Sequence, residues 1–310
     1  MVQGLGVSLA VGRGSFSRAP GLTGKECHMR MLLAISLLAP CSIALGAPKP
    51  EVRKPDEVVT YRKTEQAELK LEIFRPAGWK YDDERPAIVF FFGGGWVGGS
   101  TTQFHPQAAR LAALGMVAYC ADYRVRSRHK TSPFEAVADA KAAVRWIWRN
   151  AESQGVDRKR IVSAGGSAGG HLAACCGLVP GHDELREGEP TFIPAAMVLF
   201  NPVIDTSKKG YGHERLKERY REISPVEHVH DRAAPTLIMV GSADTTTPVA
   251  GDQLFADRMQ KRKRPCRLII SEGQKHGFFN PRGDNKNYWA TLASMEEFLV
   301  GRGLIVPARD

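Results

Sequence analysis

The sequence predicts an α/β domain built on a mostly parallel central sheet with helices on both faces. Continuously apolar runs of strand length, such as Ala87 to Phe92, alternate along the chain with stretches whose apolar residues follow helical spacing. A strand that is apolar at consecutive positions is buried on both faces, as strands of parallel sheets are. The chain has 310 residues, of which 43% are hydrophobic, so it can fill a substantial core. This composition excludes a disordered chain and a disulfide miniprotein.

Proline and glycine residues set the boundaries of the predicted elements. Pro86 and a glycine cluster bound the first strand, Gly115 ends the first helix, and the second helix follows Pro133. Strands are predicted at residues 87–92, 116–120, 161–164, 196–200, 236–240 and 267–271. Helices are predicted at residues 107–114, 134–150, 168–178, 254–261 and 288–300. Two polar and charged stretches, 180–194 and 206–224, predict small lid or cap insertions over a site.

The first 47 residues are predicted to be a leader and not part of the fold. From Met29, a basic start precedes the mostly apolar run Leu32 to Leu45, and small residues follow at a plausible cleavage point, as in a secretory signal peptide. The run is too short for a comfortable membrane span. We therefore expect a secreted or periplasmic protein in which residues 48–310 form a single domain.

Two features of the leader leave alternatives open. Residues 1–28 are glycine-rich and lack periodicity, which favours a translation start at Met29 or Met31. The segment Leu38 to Cys41 resembles a lipoprotein box, but Pro40 stands where a small residue is expected. Lipid anchoring is therefore a secondary alternative.

The formal net charge of +10 suggests a nucleic-acid or membrane-surface role. Without residues 1–47, the chain keeps 39 basic and 32 acidic residues, a net charge of +7. The excess lies in local runs, such as Arg124 to Lys130 and Lys261 to Arg264, that are typical of solvated surfaces. No aromatic-interleaved basic motif or recognition helix accompanies them, so we expect no nucleic-acid partner and no stable membrane insertion.

The cysteines that follow the leader show no metal-ligand spacing. We interpret them mainly as core residues because their flanking sequences are strand-like or helical. They are Cys120, Cys175, Cys176 and Cys266.

Ser167 is the candidate nucleophile because the stretch Gly165 to Gly169 matches the pattern Gly-x-Ser-x-Gly between a predicted strand and a predicted helix. A sharp turn in this position lifts a serine hydroxyl above the sheet, and glycines stand where a Cβ would clash. The helix that follows directs its first amides at developing negative charge. The alternative is an ordinary glycine-rich turn.

A serine nucleophile requires a base, and the base requires an acid that orients it. His276 is the candidate base because it lies in a turn directly after the predicted strand at 267–271. Asp244 is the candidate acid because it follows the strand at 236–240 in the same way, with Asp205 as the rival acid.

The histidine nearest to the candidate serine in the sequence is a weaker candidate base. His171 lies one helical turn after Ser167 and is carried into the body of the helix, from which it cannot easily reach back to the hydroxyl.

The triplet Gly93-Gly94-Gly95 follows the first predicted strand. Acyl transfer needs hydrogen-bond donors aimed at a tetrahedral oxyanion, and closely spaced amides without side chains provide them. The alternative is a phosphate-binding turn, but neither Gly-x-x-x-x-Gly-Lys nor Gly-x-Gly-x-x-Gly is present there.

Together, these motifs resemble the esterase and lipase branch of the α/β-hydrolases over about residues 67–302. More narrowly, the chain resembles bacterial esterases related to hormone-sensitive lipase and to feruloyl and acetyl-xylan esterases. The motifs that carry the resemblance are Phe92-Gly93-Gly94-Gly95-Trp96, Asp122-Tyr123-Arg124, Gly165-Gly166-Ser167-Ala168-Gly169-Gly170, Gly241-Ser242-Ala243-Asp244 with Pro248, and Lys275-His276-Gly277-Phe278.

The resemblance implies an α/β-hydrolase fold in which Ser167 is the nucleophile, Asp244 the acid and His276 the general base. It further implies an oxyanion hole and two structural residues. The amides of Gly94, Gly95 and Ala168 would form the hole, and Asp122 and Arg124 would be structural.

One position departs from the pattern of the family. Phe92 replaces the histidine of the usual His-Gly-Gly-Gly motif, whose side chain normally braces the loop and does not touch the oxyanion.

The resemblance implies a serine carboxylic ester hydrolase that works through an acyl-enzyme with neither metal nor cofactor. Its expected substrates are acetyl or feruloyl esters, including small-molecule and carbohydrate esters. Aromatic residues are candidates for an apolar or sugar-stacking pocket, although such residues are as often core. They are Trp96 and Phe278, together with Phe104, Tyr211 and Phe279.

Two alternative functions and the oligomeric state stay open at this point. One alternative is a peptidase of the prolyl-oligopeptidase type, although such enzymes usually carry an additional large domain. The other is a catalytically silent binding protein, which would ordinarily have lost a residue of the triad.

Overall fold

A computed structural model describes residues 49–306, and the predicted leader lies outside this range. Within it, eight strands form one sheet. The strands are β1 (Glu57–Lys63), β2 (Glu68–Phe74), β3 (Arg85–Phe91), β4 (Val117–Ala121), β5 (Val156–Gly166), β6 (Met197–Phe200), β7 (Thr236–Gly241) and β8 (Cys266–Ser271). The α-helices are α1 (His105–Ala113), α2 (Arg126–His129), α3 (Pro133–Arg149), α4 (Ala168–Leu178), α5 (His213–Leu216), α6 (Val249–Lys261) and α7 (Lys286–Val300).

The sheet is mostly parallel, as the sequence predicts. Its strand order is β1-β2-β4-β3-β5-β6-β7-β8. The strands from β3 to β8 pair in parallel, whereas β2 runs antiparallel to both β1 and β4. The carboxyl ends of parallel strands meet at the same edge of a sheet, where ligands of open α/β sheets bind. The loops that follow β3, β5, β7 and β8 therefore meet at that edge.

The strands β1 and β2 are not among the predicted elements. In β2, the apolar side chains of Leu69, Leu71 and Ile73 are fully buried and alternate with charged residues. This period of two is typical of a half-buried strand and differs from the continuous apolar runs of the central strands.

Helices cover both faces of the sheet, as predicted. The side chains of Ile88 and Phe90 in β3 belong to the core that α1 and α7 complete on one face. Val89 and Phe91 belong to the core that α3, α4 and α6 complete on the other face. Successive residues of a strand point to opposite faces, which explains why β3 is apolar at every position.

The longest helix and the most buried helix begin in different ways. Helix α3 starts with a capping box, in which Ser132 accepts a hydrogen bond from the Phe134 amide and Glu135 accepts one from the Ser132 amide. Helix α4 has no side-chain cap, and every one of its residues is buried.

The two predicted insertions make their hydrogen bonds with different partners. The stretch 206–224 contains α5 and a 3₁₀ helix, Lys217–Ile223. In this stretch, Arg215 donates a hydrogen bond to the carbonyl of Gly95 at 2.5 Å. The stretch 180–194 is instead held against α3 by hydrogen bonds and ion pairs that Lys141, Arg145 and Arg149 of α3 make. These contacts fix 180–194 on α3, and its role as a lid over the site stays a prediction.

The described part of the chain contains no helix with the length and apolar character that crossing a membrane requires. The four cysteines are free thiols, of which Cys120, Cys175 and Cys176 are buried in the core and Cys266 is partly exposed.

One acidic side chain is buried without a hydrogen-bond partner in the described range. Asp252 lies in the first turn of α6, is 1% exposed, and has no partner on either carboxylate oxygen. Burial raises the pKa of Asp252 well above its usual range, and the nearby charge of Asp244 raises it further. The carboxyl group is thereby favoured in its protonated form.

We expect Asp252→Asn to stabilise the protein at neutral pH by about 1–3 kcal/mol. The folded-state pKa of Asp252 lies above the unfolded value, so the wild-type protein loses stability as the pH rises from about 4 towards the raised pKa. Urea unfolding at pH 4 and pH 8 measures this difference. Asp257→Asn, an exposed substitution on the same helix, is the matched control. A stability gain of the same size at both pH values would contradict the prediction.

Candidate active site

Ser167 lies on the sharp turn between β5 and α4, at the carboxyl edge of the sheet. Its backbone has φ 56° and ψ −121°, a left-handed conformation that is unfavourable for a residue with a side chain. Hydrogen bonds hold it in place. The Ser167 amide donates to the carbonyl of Phe200 at 2.9 Å, and the Ser167 carbonyl accepts from the amide of Val203 at 3.1 Å. The end of β6 therefore supports the turn.

The start of α4 packs closely against the end of β3. A Cβ added at Gly169 would lie 1.9 Å from the carbonyl oxygen of Phe91, so only glycine allows this approach. The same packing brings the segment after β3 to the serine, because a Cβ at Gly93 would lie 3.3 Å from the Cβ of Ser167.

The structure brings Ser167, His276 and Asp244 together in one hydrogen-bonded path. The Nε2 atom of His276 lies 2.9 Å from the Oγ atom of Ser167. The Nδ1 atom of the same ring lies 2.7 Å from Oδ2 of Asp244. The His276 side chain is 25% exposed, whereas the Asp244 side chain is fully buried. Such a path, open to solvent at the histidine, is the arrangement that activates a serine nucleophile.

The Asp244 carboxylate is held by four donors. Oδ1 accepts hydrogen bonds from the amides of Thr246 and Thr247, and Oδ2 accepts from the Thr247 hydroxyl and from His276. Burial alone would raise the pKa of Asp244, but the hydrogen bonds from His276 and Thr247 outweigh it and lower the pKa below its usual value. Asp244 is therefore ionised at any pH at which a histidine base is neutral.

The segment Gly93-Gly94-Gly95, which we call the oxyanion loop, leaves backbone donors free. Among residues 49–306, the amides of Gly94, Gly95 and Ala168 have no hydrogen-bond acceptor. Gly94 has φ +128°, a conformation that favours glycine, and its carbonyl accepts hydrogen bonds from the amides of Val97 and Gly98. The Ala168 amide lies at the N-terminus of α4, where free amides favour negative charge.

Phe92 lies at the base of the oxyanion loop, in the core. Its ring stacks on Tyr123 with 4.1 Å between the ring centroids, and the Tyr123 hydroxyl donates to the Phe92 carbonyl at 2.8 Å. The position therefore contributes an apolar contact, and its side chain makes no hydrogen bond to the loop.

The rival residues have other partners. The Nε2 atom of His171 donates to the carbonyl of Ile223 at 2.7 Å, and burial lowers the pKa of His171 to about 4, so this ring stays neutral and is directed away from Ser167. Asp205 accepts hydrogen bonds from the amide and hydroxyl of Ser207, which form a local turn. Neither residue joins the path through His276.

The structure divides the candidate pocket residues into two groups. Trp96 is 2% exposed and packs against the rings of His171 and Tyr211, so it is a core residue and not a substrate-stacking surface. Phe104 and Phe279 stack on each other and are also buried, because their rings complete the apolar core. Phe278 and Tyr211 are partly exposed and remain candidates for substrate contact.

Several polar residues around His276 are not among the site residues that the sequence predicts. Asn201 is fully buried directly after β6, and its Oδ1 accepts from the Gly277 amide at 3.0 Å. Thr247 positions Asp244, and Asn280 donates to the Gly277 carbonyl at 2.8 Å. The signal that could have found Asn201 is its place as a polar residue directly after a buried strand.

Comparisons with known proteins place the chain among esterases. The BD-FAE family model matches residues 71–211, and the Dienelactone hydrolase family model matches residues 195–299. The solved structure of Thermogutta terrifontis esterase 2 phosphoramylated by tabun is 46% identical, with a TM-score of 0.77, over 84% of this chain and 98% of that chain. The structure of Thermogutta terrifontis Est2 with propionate bound is 45% identical, with the same TM-score and coverage.

A curated relative covers a shorter part of the chain. Esterase LipC of Mycobacterium tuberculosis is 32% identical over 215 residues, which are 62% of this chain and 53% of LipC. The chain thus spans about half the length of the curated relatives it matches.

Proposed function

The chain belongs to the esterases of the α/β-hydrolase fold, and from this premise we propose that it hydrolyses carboxylic esters of short acyl chains through an acyl-enzyme. The observation that carries the proposal is the unbroken hydrogen-bonded path from Ser167 through His276 to Asp244 beside three free amides. A silent binding protein would have no need of this complete arrangement.

In the acylation step, Ser167 Oγ attacks the ester carbonyl carbon while Nε2 of His276 takes the hydroxyl proton. The carbonyl oxygen becomes an oxyanion, and the amides of Gly94, Gly95 and Ala168 are the donors that would stabilise it. When the tetrahedral intermediate collapses, the bond to the alcohol oxygen breaks and His276 returns the proton to that oxygen. The alcohol leaves, and the acyl group remains on Ser167.

Deacylation repeats the same steps with water. His276 removes a proton from water as the water oxygen attacks the acyl carbon, and the Ser167 oxygen takes the proton back when its bond breaks. Asp244 holds the Nδ1 proton throughout and stabilises the imidazolium. The products are a carboxylic acid and the free enzyme.

The preference for short acyl chains rests on the packing beside the oxyanion loop. A Cβ at Gly95 would lie 2.6 Å from the Tyr211 hydroxyl, and Arg215 donates to the Gly95 carbonyl. The stretch 206–224 therefore leaves little room for a long acyl chain on this side. The propionate in the structure of Thermogutta terrifontis Est2 supports the same preference. On the histidine side the site is open to solvent, which suits a bulky alcohol such as a sugar.

We also propose that the protein is exported, on the basis of the pattern in residues 29–47. Expression of the whole chain in a bacterial host should give a periplasmic or secreted form whose N-terminus, measured by mass spectrometry, lies near residue 48. A membrane-bound form lipidated at Cys41 would support the lipoprotein alternative instead. An unprocessed cytoplasmic protein would contradict export.

We expect Ser167→Ala to lower the turnover of p-nitrophenyl acetate by about 10⁴-fold or more, because the hydroxyl is the nucleophile. A fluorophosphonate probe should label the wild-type chain and fail to label this variant. Ser153→Ala, which removes an exposed hydroxyl remote from the turn, is the matched control. If Ser167→Ala retains turnover while folded, the proposed function is wrong.

We expect the wild-type kcat/KM for p-nitrophenyl esters to fall at least tenfold, roughly, between butyrate and octanoate, since one methylene contributes about 1–3 kcal/mol to transition-state binding only where it fits the pocket. Tyr211→Ala should reduce this discrimination by opening the space beside Gly95. Tyr81→Ala, a substitution of a tyrosine that is 71% exposed, should leave it unchanged.

Acetylated xylan and methyl ferulate, assayed in parallel, would identify the natural class of ester. In the p-nitrophenyl ester series, equal kcat/KM values for all acyl chain lengths would contradict the short-chain preference.

A further inference from the structure

We propose that Gln103 and Asn280 are positioning residues that couple the oxyanion loop to the turn that carries His276. The inference rests on the proposed ester hydrolysis, because it assigns a role in that reaction to two side chains that do not touch the substrate. We call the two side chains the amide bridge.

The first half of the amide bridge contacts the oxyanion loop. Gln103 lies in the 3₁₀ helix Thr101–Phe104, and its Oε1 atom accepts a hydrogen bond from the Gly93 amide at 2.6 Å. This bond fixes the peptide between Phe92 and Gly93, directly before the residue whose amide is free, and the position lies beside the nucleophile, as the short approach between Gly93 and Ser167 shows. Gln103 therefore constrains the direction of the free amides that follow.

The second half contacts the histidine turn. The Nε2 atom of Gln103 donates to Oδ1 of Asn280 at 2.9 Å. Asn280 in turn donates from Nδ2 to the carbonyl of Gly277 at 2.8 Å. Gly277 follows His276 directly, and its own amide donates to Asn201. Gly277, next to the general base, is thus held at both its amide and its carbonyl. The contact at the carbonyl leads through the amide bridge to the oxyanion loop.

The chemistry of the amide group suits this role. A primary amide accepts through its oxygen and donates through its nitrogen at the same time, and both members of the bridge use both functions. A leucine of similar size offers neither function. An ionised glutamate still accepts from Gly93 but cannot donate to Asn280, whereas a protonated glutamic acid can do both.

The apolar side chain that precedes the oxyanion loop explains why such a bridge is needed. Phe92 is buried against Tyr123 and has no polar side-chain atom with which to hold the loop. The hydrogen bond that braces the loop therefore comes from Gln103, which is ten residues further along the chain.

The test compares Gln103→Leu, Asn280→Leu and the double variant with the wild-type enzyme on p-nitrophenyl acetate. Each single variant should lower kcat by about 10- to 100-fold, since loss of one whole oxyanion donor lowers kcat by about 10²- to 10³-fold. KM should change by less than about threefold, because the bridge acts on the reacting groups and not on binding. The kcat of the double variant should be close to that of the less active single variant, since the two side chains act as one unit.

A second variant tests positioning separately from folding. The introduced carboxyl group of Gln103→Glu becomes protonated as the pH falls, so this variant should recover activity relative to the wild type. The kcat of the variant divided by the kcat of the wild type should therefore rise several-fold from pH 8 to pH 5. A purely structural role predicts a constant ratio. Gln253→Leu removes an exposed amide on α6 and should leave kcat unchanged.

The outcomes separate this inference from the proposed function. An inactive wild-type enzyme would overturn the ester hydrolase proposal itself. An active wild type together with unchanged kcat in Gln103→Leu, or a Gln103→Glu ratio that does not depend on pH, would overturn the bridge alone. If Gln103→Leu fails to fold, the pH-dependent ratio of Gln103→Glu still decides.

Discussion

The close contact between α4 and the carboxyl end of β3 is the constraint on which the rest of the site depends. Gly169 allows the first turn of α4 to meet the carbonyl of Phe91 without a Cβ between them. Because β3 runs directly into the oxyanion loop, the same contact sets the distance between Ser167 and the free amides. A larger residue at Gly169 would move the helix and separate the nucleophile from the donors that its reaction requires.

Two buried carboxyl groups, Asp244 and Asp252, show how hydrogen bonds decide which of two interacting acids is ionised. Asp244 has four donors and a lowered pKa, whereas Asp252 has no partner in the described range and a raised pKa. The charge of Asp244 disfavours ionisation of Asp252, and the group with hydrogen bonds to its charged form is the one that stays ionised. Asp244 is therefore the ionised partner of His276.

The sequence predicts those features of the fold and the site that depend on residues close to one another in the chain. Continuous apolar runs locate the central strands, and the glycine pattern locates Ser167, because a sharp turn needs glycine wherever it is placed. The strands β1 and β2 escape prediction because β2 has a single buried face and pairs with β4, while β1 is added to the edge of the sheet by pairing with β2. Trp96 follows the glycine triplet, as a pocket residue would, but the cap stretch 206–224 covers it. That burial depends on residues more than a hundred positions away.

The oxyanion loop shows the same dependence on distant residues. Phe92 offers no polar side-chain atom with which to hold the loop. The hydrogen bonds come instead from Tyr123 to the Phe92 carbonyl, from the Gly93 amide to Gln103, and from Arg215 to the Gly95 carbonyl. The stacking of Phe92 on Tyr123 stabilises the foot of the oxyanion loop by about 0.5–1.5 kcal/mol beyond the effect of its buried area, but an aromatic ring cannot fix the direction of an amide. The direction must come from hydrogen bonds, so an apolar residue at Phe92 is tolerated only where polar partners arrive from elsewhere in the fold. Gln103 meets this requirement by accepting a hydrogen bond from the Gly93 amide. Through Asn280 it also links the oxyanion loop to the turn that carries His276, the general base.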